Sequence, residues 1–257
     1  MSVIIPTFHR EHEVIEATRS ALDQREVEVE VIVLDDSAEG SARGAIEAIG
    51  DARVRYVKRA VPSGGAPALA RNEGMALARG RFLVFLDDDD RLDDGALAAL
   101  AAAIEHPPGA GAAIGVVRPF GAGAIGVEEA YFARAAARLR ACRSRRALLA
   151  CLLFKEAPII NSACMIRRDL ARSLGGYDAH VLHCEDADLY LRAARRSGAV
   201  FVDRTVVHYR VSGESRIHRG GLEGEMNAAY RRIHEKYRQE HGSLKFLALK
   251  LLARLYP

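Results

Sequence analysis

Short apolar runs alternate with segments of helical periodicity through the first 105 residues. The runs lie at 2–5, 27–34, 54–57 and 81–86, and the helical segments at 12–23, 41–49, 66–78 and 94–105. Because parallel strands need a crossover between them, this rhythm predicts an α/β fold, a mostly parallel sheet with helices on both faces. Such a sheet binds ligands at the carboxyl ends of its strands, so the residues after each run are the first site candidates.

The second half of the chain is less regular. Its predicted strands lie at 112–117, 159–166, 200–202 and 206–211, with a helix at 185–197 and loops at 121–126 and 212–224. Residues 128–154 have the pattern of one long helix or of a broken pair, and both interpretations stay open. The pattern shows no linker, so we predict a single domain.

Composition and charge narrow the class of protein. The chain has 37 Lys and Arg against 34 Asp and Glu, a net charge of +3, which argues weakly against dedicated nucleic-acid binding. Its apolar stretches are far shorter than the roughly 18 residues of a bilayer span. The chain starts in a strand pattern rather than a leader pattern, and its four cysteines lack a CxxC spacing. We therefore expect a cytoplasmic protein with reduced thiols.

Four consecutive aspartates at 87–90 follow the apolar run at 81–86. On a surface loop such a run is simply solvated, but at the end of a buried strand clustered carboxylates need a counter-charge. A hard divalent cation supplies one and keeps open positions for phosphate oxygens. A second pair, Asp35-Asp36, also closes a run. An aspartate there is either a turn former or helix cap, or an acceptor for the N–H of a base.

A glycine-containing segment precedes the predicted helix at 66–78. Ser63-Gly64-Gly65 allows close backbone approach, and the helix start that follows favours anions. Arg71 on that helix can fork onto a diphosphate or a carboxylate. The chain has neither a GKS or GKT sequence nor a GxGxxG after the first strand, so a P-loop and a dinucleotide-binding fingerprint are excluded.

Five segments then occur in order between residue 2 and about residue 192. They are Ser2-Val3-Ile4-Ile5-Pro6-Thr7-Phe8-His9-Arg10, Val31-Ile32-Val33-Leu34-Asp35-Asp36-Ser37, Ala70-Arg71-Asn72-Glu73-Gly74, Gly80-Arg81-Phe82-Leu83-Val84-Phe85-Leu86-Asp87-Asp88-Asp89-Asp90, and Gly175-Gly176-Tyr177-Asp178 with Glu185-Asp186-Ala187-Asp188-Leu189-Tyr190-Leu191-Arg192. Together they resemble the GT-A-fold nucleotide-sugar glycosyltransferases of the inverting family 2 type. The resemblance implies a Rossmann-like GT-A domain. Residues 1–118 would bind the nucleotide sugar, and residues 119–257 would hold the acceptor side and the catalytic base.

The resemblance also assigns roles on the donor side. Pro6, Thr7 and Phe8 would line the nucleoside pocket, with Phe8 near the base. Asp36 would bind the uracil-like edge of the base. Arg71 would lie near the base or the diphosphate.

Four acidic residues and one histidine complete the implied site. Asp87 and Asp89 would be the outer members of the family's Asp-x-Asp motif, with Asp87 on the ribose or sugar side and Asp89 the direct metal ligand. Asp88 fills the variable middle position of this donor-binding motif. Asp186 matches the catalytic base, although an aspartate at this position could simply cap the helix that follows. His208 matches a further metal or diphosphate contact, although its valine neighbours suit a core histidine as well.

Two further expectations concern the exposure of Asp88 and Asp90 and the contacts that His9 makes near the base. Asp88 and Asp90 are expected to face solvent or to cap the next turn. His9 stands where relatives often have asparagine, which alters contacts near the base.

The implied function is a metal-dependent, inverting transfer of a hexosyl or N-acetylhexosaminyl group. The donor would be a nucleotide-diphosphate sugar, first of all a UDP-sugar, with dTDP and GDP left open. The acceptor would be a hydroxyl of a glycan, a lipid-linked molecule or another glycoconjugate in polysaccharide synthesis. Mn²⁺ or Mg²⁺ would be the cofactor, and no nucleic-acid partner is expected. The family's late aromatic acceptor motif is not evident in a chain without tryptophan, so the acceptor stays open.

Two alternatives remain. A nucleotidyltransferase of related fold would carry a glycine-rich loop with a basic residue just after the first strand, where residues 6–10 have no glycine. A non-catalytic module would bind nucleotide sugars without turnover, and the retained Asp36, Asp89 and Asp186 argue against it.

Two clusters of basic residues are relevant to what the protein binds besides its substrates. Six arginines lie between residues 134 and 146 without an acid among them, and residues 244–255 predict a cationic amphipathic helix. Each either belongs to a solvated or packed helix face or contacts phosphate groups at a membrane surface. Peripheral contact with the inner face of a membrane therefore stays open.

Overall fold

The computed structural model describes residues 1–106, 109–122, 125–155, 159–181, 183–211 and 222–256. The strands are β1 (Ser2–Thr7), β2 (Glu30–Asp35), β3 (Val54–Lys58), β4 (Phe82–Phe85), β5 (Arg91–Leu92), β6 (Ala112–Gly121), β7 (Cys164–Arg167) and β8 (Ala199–Val211). The helices are α1 (Glu13–Leu22), α2 (Arg43–Glu47), α3 (Pro67–Leu77), α4 (Ala96–Glu105), α5 (Ile125–Ala141), α6 (Arg145–Phe154), α7 (Arg168–Ser173), α8 (Glu185–Ser197), α9 (Leu222–His241) and α10 (Ser243–Ala253). A 3-10 turn at Asn161–Ala163 precedes β7.

The eight strands form one sheet in the order β3-β2-β1-β4-β7-β6-β8-β5. β1 lies parallel to β2 and β4, and β3 lies parallel to β2. β7 runs antiparallel to both β4 and β6, and β6 is parallel to β8. The carboxyl ends of β1, β2 and β4 therefore share one edge of the sheet.

Apolar side chains from alternate strand positions cover both faces of this sheet. Ile4, Ile32 and Leu34 belong to a core cluster on one face, and Val3 and Ile5 belong to a cluster on the other. Burial on both faces explains why the strands read as continuous apolar runs rather than as alternating ones. The α/β sheet with helices on both faces is confirmed.

The strands and helices predicted in the first half are all present, with shifted ends. β1 continues through Pro6 to Thr7, whereas the sequence suggested an end at residue 5. Leu86 donates to the Ile4 carbonyl oxygen from the β4 side, and Asp36 donates to the Thr7 carbonyl oxygen from the β2 side. By this alternation Pro6 faces the β4 side, past the last paired residues Ile4 and Phe85, so its missing N–H falls where the β1–β4 ladder ends.

The second half departs further from the expectations. β8 is a single strand where two were predicted, and β6 is longer than its predicted run. Of the two interpretations of residues 128–154, the broken pair is found. Ser144 begins α6, and its hydroxyl accepts a hydrogen bond from the Ala147 amide at 3.1 Å. The sequence did not predict β5, α7 or most of α9, and the loop expected at 212–224 lies largely outside the described residues. Within the described ranges, no helix has both the length and the apolar character needed to cross a bilayer.

Gly74 allows helix α3 to pack closely against the sheet. A Cβ at this position would lie 2.4 Å from Cγ2 of Ile4 and 2.9 Å from Cδ2 of Leu34. We expect Gly74→Val to lower the free energy of unfolding by about 1–3 kcal/mol, because overpacking forces α3 away from β1 and β2. Urea denaturation measures this. Gly44→Ala in α2, where nothing lies within 4 Å, is the matched control. Equal stability of the Gly74→Val variant and the wild type would contradict this packing.

Candidate active site

A cleft of about 900 Å³ opens at the carboxyl edge of β1, β2 and β4. Nine of the ten side chains singled out from the sequence line it: Pro6, Thr7, Phe8, Asp36, Arg71, Asp87, Asp88, Asp89 and Asp186. Residues from the two halves of the chain meet here because α8 begins at the same edge. The fold therefore brings one set of carboxylates into a shared cavity.

The loop after β3 holds the carboxylate of Asp36. Its oxygens accept hydrogen bonds from the Ser63 amide at 2.8 Å, the Ser63 hydroxyl at 2.7 Å and the Gly65 amide at 2.6 Å. Arg59, the residue after β3, donates to the same carboxylate. Burial opposes the charge, but these donors hold the pKa of Asp36 below its usual value. Asp36 is thus an ionised acceptor at the cleft wall.

The carboxylate of the neighbouring Asp35 has a different set of hydrogen-bond partners. One of its oxygens accepts from the Ala42 amide at 2.9 Å, at the start of α2, and from the Tyr56 hydroxyl at 2.9 Å. Its other oxygen accepts from the Ser37 amide and hydroxyl. Asp35 is therefore the turn former and helix cap, and Asp36 is the member of the pair that reaches the cleft.

Phe8 and His9 form the rim beside this wall. Phe8 is 37% exposed, so it is not a core residue, and its ring centroid lies 4.3 Å from that of His9. The His9 backbone has a φ of 54°. A left-handed conformation in a residue other than glycine costs energy and concentrates at functional sites.

Arg10 lies between two carboxylates of the aspartate cluster. Its Nη1 is 2.9 Å from Oδ1 of Asp88 and 2.5 Å from Oδ2 of Asp89. Burial raises the pKa of Asp88 to about 6, with Arg10 opposing the rise, and burial also raises the pKa of Asp89. The cluster thus needs a positive partner, and Arg10 supplies one. No role for Arg10 was predicted from the sequence.

The expectation that Asp88 and Asp90 face solvent is wrong. Asp88 is 7% exposed and Asp90 is 1% exposed. Oδ1 of Asp90 accepts from the Arg210 amide at 3.0 Å, which ties the turn after β4 to β8. Burial and the charges of Asp89 and Asp87 raise the pKa of Asp90 well above its usual range. Nothing local in the run 87–90 distinguishes this arrangement from a solvated one, because β8 comes from 120 residues downstream.

Arg71 joins the aspartate cluster to the start of α8. It is 4% exposed, and its Nη2 donates to Asp87 at 2.6 Å while Nη1 donates to Glu185 at 2.7 Å. The guanidinium carbon also lies 5.5 Å from the ring centroid of Tyr177. Glu185, which was not assigned a role from the sequence, is thus the acidic partner that fixes Arg71 between the two halves of the cleft.

Asp186 lies in the first turn of α8 and faces the same cleft. Its Oδ1 accepts a hydrogen bond from the Ala187 amide at 2.7 Å, so the side chain satisfies an N–H of the first turn while it lines the cleft. The N-cap residue of α8 is Cys184 rather than Asp186. Burial raises the pKa of Asp186 to about 8, and the neighbouring Glu185 carboxylate adds to the rise. Once ionised, a carboxylate with such a pKa is a stronger proton acceptor than an ordinary aspartate.

His208 lies apart from this group. It is on β8, its Nε2 is 2.8 Å from Oδ1 of Asp93, and it is not among the residues that line the cleft. Its predicted ligand role rests on the resemblance alone and stays a prediction. In the described part of the chain, no group of three or more His, Cys, Asp or Glu side chains has the spacing of a metal site.

The opposite wall of the cleft comes from α5 and α9. Its lining includes Val127, Tyr131 and Arg134 from α5, and Met226 and Tyr230 from α9. Two tyrosines, Tyr131 and Tyr230, therefore line this wall of the cleft. The sequence did not single out these residues as cleft residues, because most of α9 was not predicted and the position of α5 at the cleft leaves no signal in the local pattern.

Solved structures share this architecture. S. aureus TarS 1-349, solved in complex with UDP-GlcNAc, matches with a TM-score of 0.72 and 18% identity over 98% of this chain and 70% of that one. The mannosyltransferase PcManGT of Pyrobaculum calidifontis, solved with GDP-Man and Mn²⁺, matches with a TM-score of 0.66 and 19% identity over 98% of this chain and 73% of that one. The fold is therefore the GT-A fold of glycosyltransferases.

The family model described as "Glycosyl transferase family 2" matches residues 2–175, which is more than half of the chain. The chain belongs to this family.

Sequence relatives agree with that membership. An uncharacterized protein of Mycobacterium tuberculosis, MT1568, is 32% identical over 79% of this chain and 64% of its own length. The GalNAc(5)-diNAcBac-PP-undecaprenol beta-1,3-glucosyltransferase of Campylobacter jejuni is 35% identical over 39% of this chain. The UDP-Glc:alpha-D-GlcNAc-diphosphoundecaprenol beta-1,3-glucosyltransferase WfgD of Escherichia coli is 32% identical over 35% of it. The chain covers only 33% and 35% of these two glucosyltransferases.

Proposed function

We propose that this protein transfers a sugar from a nucleotide-diphosphate donor to a hydroxyl acceptor with inversion at the anomeric carbon. One observation carries the proposal: Asp36, the aspartates at 87–89 and Asp186 line a single cleft at the carboxyl edge of the sheet. The reaction needs a base-binding wall, a diphosphate-binding region and a general base around one substrate. The cleft offers a candidate for each.

Residues 1–118 form the donor side in this proposal. Asp36 accepts from the base, and Phe8 covers it from the rim. UDP is the proposed nucleotide, which is supported by the structural likeness to TarS, whose solved structure contains UDP-GlcNAc. Arg71, held by Asp87 and Glu185, puts a positive charge near the diphosphate.

The oxygen-only donor set of Asp88 and Asp89 fits a hard divalent cation. Mg²⁺ is usually bound through one or two carboxylates together with substrate phosphates, and Arg10 already marks the space between these two carboxylates as one that takes a cation. Asp89 would hold Mn²⁺ or Mg²⁺, and Arg10 would then give up its contact with that oxygen. When bound, the ion would offset the negative charge that develops on the leaving nucleoside diphosphate.

Asp186 is the proposed general base. It takes the proton of the acceptor hydroxyl as the new bond from that oxygen to the anomeric carbon forms. The bond from the anomeric carbon to the diphosphate oxygen breaks in the same displacement, and its electron pair leaves with the nucleoside diphosphate. In such a single displacement the base and the leaving group would lie on opposite faces of the sugar, so the configuration would invert.

Residues 119–257 form the acceptor side. Tyr131 and Tyr230 offer stacking surfaces for a sugar ring, and Arg134 offers a positive charge at the mouth of the cleft. The names of two relatives specify acceptors linked to undecaprenol through a diphosphate, which supports a lipid-linked glycan as the acceptor. Such an acceptor would place the reaction at a membrane. The cytoplasmic location expected from the sequence stays a prediction.

Donor binding gives a direct test of this function. We expect UDP-sugars with Mn²⁺ to raise the melting temperature, by about 5–10 °C at a hundredfold excess over the dissociation constant, since a ligand that binds the folded state stabilises it. Asp89→Ala should lose the metal-dependent part of this shift. The exposed Asp94→Ala variant should keep it, so equal shifts in both variants would contradict metal binding at Asp89.

The same panel separates the alternatives. A larger shift with nucleoside triphosphates than with nucleotide sugars would favour the nucleotidyltransferase. Binding of UDP-sugars without release of UDP in the presence of acceptor lipids would favour the non-catalytic module.

A further inference from the structure

Helix α10 and the turn after it expose a line of leucines. Leu244, Leu247, Leu251 and Leu255 are 84%, 51%, 50% and 75% exposed. At 100° per residue these four positions fall within an arc of about 80°, along roughly 16 Å of helix. The opposite face is packed, with Leu249 and Ala253 buried in the core. We name the four exposed side chains the leucine stripe.

Basic residues flank the leucine stripe on both sides. By the same helical geometry Lys245 lies on one flank, and Lys250 and Arg254 lie on the other. Residues 243–256 contain no Asp or Glu. An apolar stripe bordered by lysine and arginine is the pattern of a helix that lies in the plane of a membrane interface.

The leucine stripe starts next to a second basic feature. A pocket of about 530 Å³ has a lining that includes four arginines: Arg145, Arg146, Arg195 and Arg196. Arg195 reaches the end of α9, where its Nη1 is 3.3 Å from Nδ1 of His241 and its Nη2 is 3.4 Å from Oε2 of Glu240. Leu244 follows three residues after His241, so the arginine pocket adjoins the first turn of α10.

The direction of α10 is set by its packing on α9. Gly242, with a φ of 83°, lies between the two helices. The ring of Phe246 then packs 5.6 Å from that of His234 and 6.3 Å from that of Tyr237, so α10 runs back along α9. The other end of α9 carries Met226 and Tyr230 of the cleft. The stripe thus extends from the arginine pocket along the helix that forms the acceptor wall.

We infer that the leucine stripe docks on an anionic lipid bilayer, with its basic flanks and the arginine pocket facing the headgroup phosphates. The leucines would enter the boundary between headgroups and acyl chains. A second copy of the chain fits less well, because a two-fold contact through this face would bring the same three basic side chains together without an acid on the helix to pair them. Lipid phosphates complement that charge. This inference adds a docking surface to the proposed transfer reaction and does not depend on it.

Co-sedimentation with vesicles tests the inference. We expect the full chain to bind vesicles with 30% phosphatidylglycerol in phosphatidylcholine, to bind pure phosphatidylcholine weakly, and to lose affinity as salt increases. Leu244→Ser, Leu247→Ser and Leu251→Ser combined should weaken binding at least tenfold. Lys245→Gln, Lys250→Gln and Arg254→Gln combined should weaken it roughly a hundredfold, since each basic residue contributes about a factor of five.

Matched controls change exposed residues elsewhere on the molecule. Val61→Ser removes an apolar side chain that is 77% exposed, and Arg19→Gln, Arg25→Gln and Arg55→Gln remove three exposed positive charges. Both controls should bind the anionic vesicles like the wild type. Melting temperatures of all variants establish that they are folded.

Two outcomes would overturn the inference. One is a stripe variant that is folded and binds the anionic vesicles as tightly as the wild type. The other is a wild-type protein that ignores vesicles of either composition; if sedimentation velocity then shows self-association that the leucine substitutions abolish, the face is a protein interface. Because the readout is lipid binding in the absence of any sugar nucleotide, either result leaves the glycosyl transfer proposal to its own test.

Discussion

Asp186→Asn is expected to lower kcat by about 10²–10⁴-fold while nucleotide-sugar binding is retained. The substitution preserves the size of the side chain and its acceptor oxygen toward Ala187, but the amide cannot take a proton from the acceptor hydroxyl. Transfer assays with a lipid-linked acceptor, together with calorimetric titration of the donor, measure both parts. Asp169→Asn in α7, an exposed carboxylate, is the control. Retention of wild-type kcat in Asp186→Asn would remove the residue from the role of base.

The raised pKa of Asp186 gives this prediction a second readout. Folding raises the carboxyl pKa to about 8, so the folded state holds a proton that the unfolded chain releases at a much lower pH. The stabilising contribution is therefore present at acidic pH and is lost as the pH rises through about 8. At pH 8.5 the Asn variant should melt no lower than the wild type, and a few degrees higher if the buried charge is costly.

The pH profile of the wild type follows from the same group. Activity needs the ionised carboxylate, so kcat/KM should rise with pH up to about 8. Glu185→Gln removes the neighbouring charge that adds to the shift, so the rise should move to lower pH. An acid limb near the ordinary pKa of an aspartate in the wild type would show that Asp186 is not the group that titrates.

The local sequence pattern was sufficient to predict β1, β2 and β4 and the aspartates that follow β2 and β4. Apolar runs that end in polar residues define β1, β2 and β4, because their burial on both faces leaves no alternation to misread. The placement of Asp36 and the aspartates at 87–89 in one cleft then follows from the parallel order of these strands. The fold class and the family could therefore be recognised from the sequence.

Strand pairings and ion pairs between distant parts of the chain could not be predicted in this way. β7 enters the sheet antiparallel between β4 and β6, and β5 has only two residues that pair with β8. The partners of the cleft carboxylates are also remote: Arg10 is 79 residues from Asp89, and Arg71 is 114 residues from Glu185. Neither pairing leaves a periodic signal in the chain.

The burial of individual charged side chains also could not be predicted from the sequence pattern. Asp88 and Asp90 look solvated in sequence, since acidic runs usually are, yet the packing of β8 and of Arg10 against the turn covers them. Burial depends on what the rest of the chain places above a residue. Tyr131 and Tyr230 were missed as cleft residues for a related reason, because their place in the cleft depends on how α5 and α9 pack in the folded chain.

Arg71→Leu is expected to lower the free energy of unfolding by about 3–5 kcal/mol, because it leaves two carboxylates in the cleft without their shared cation. Arg71 is almost fully buried and donates to both Asp87 and Glu185. Its loss should also raise the pKa of Asp186, whose charged form Arg71 favours. Denaturant unfolding and the pH profile measure the two effects. Arg140→Leu, which breaks an exposed pair with Asp203, should change stability little.

A series of variants with matched charges distinguishes two causes of the lost stability, which are the loss of side-chain packing and the presence of unpaired carboxylates. If unpaired carboxylates cause the loss, adding Asp87→Asn and Glu185→Gln to Arg71→Leu should recover much of the stability, since neutral partners no longer need a cation. Donor affinity should stay low in the recovered variant, because it lacks both the positive charge proposed to lie near the diphosphate and the Asp87 carboxylate implied on the ribose or sugar side. Arg71→Lys should recover less, since a single ammonium cannot reproduce the fork that spans both carboxylates. If the triple variant recovers both stability and donor affinity, then Arg71 only joins the two halves of the cleft and makes no contact with the donor.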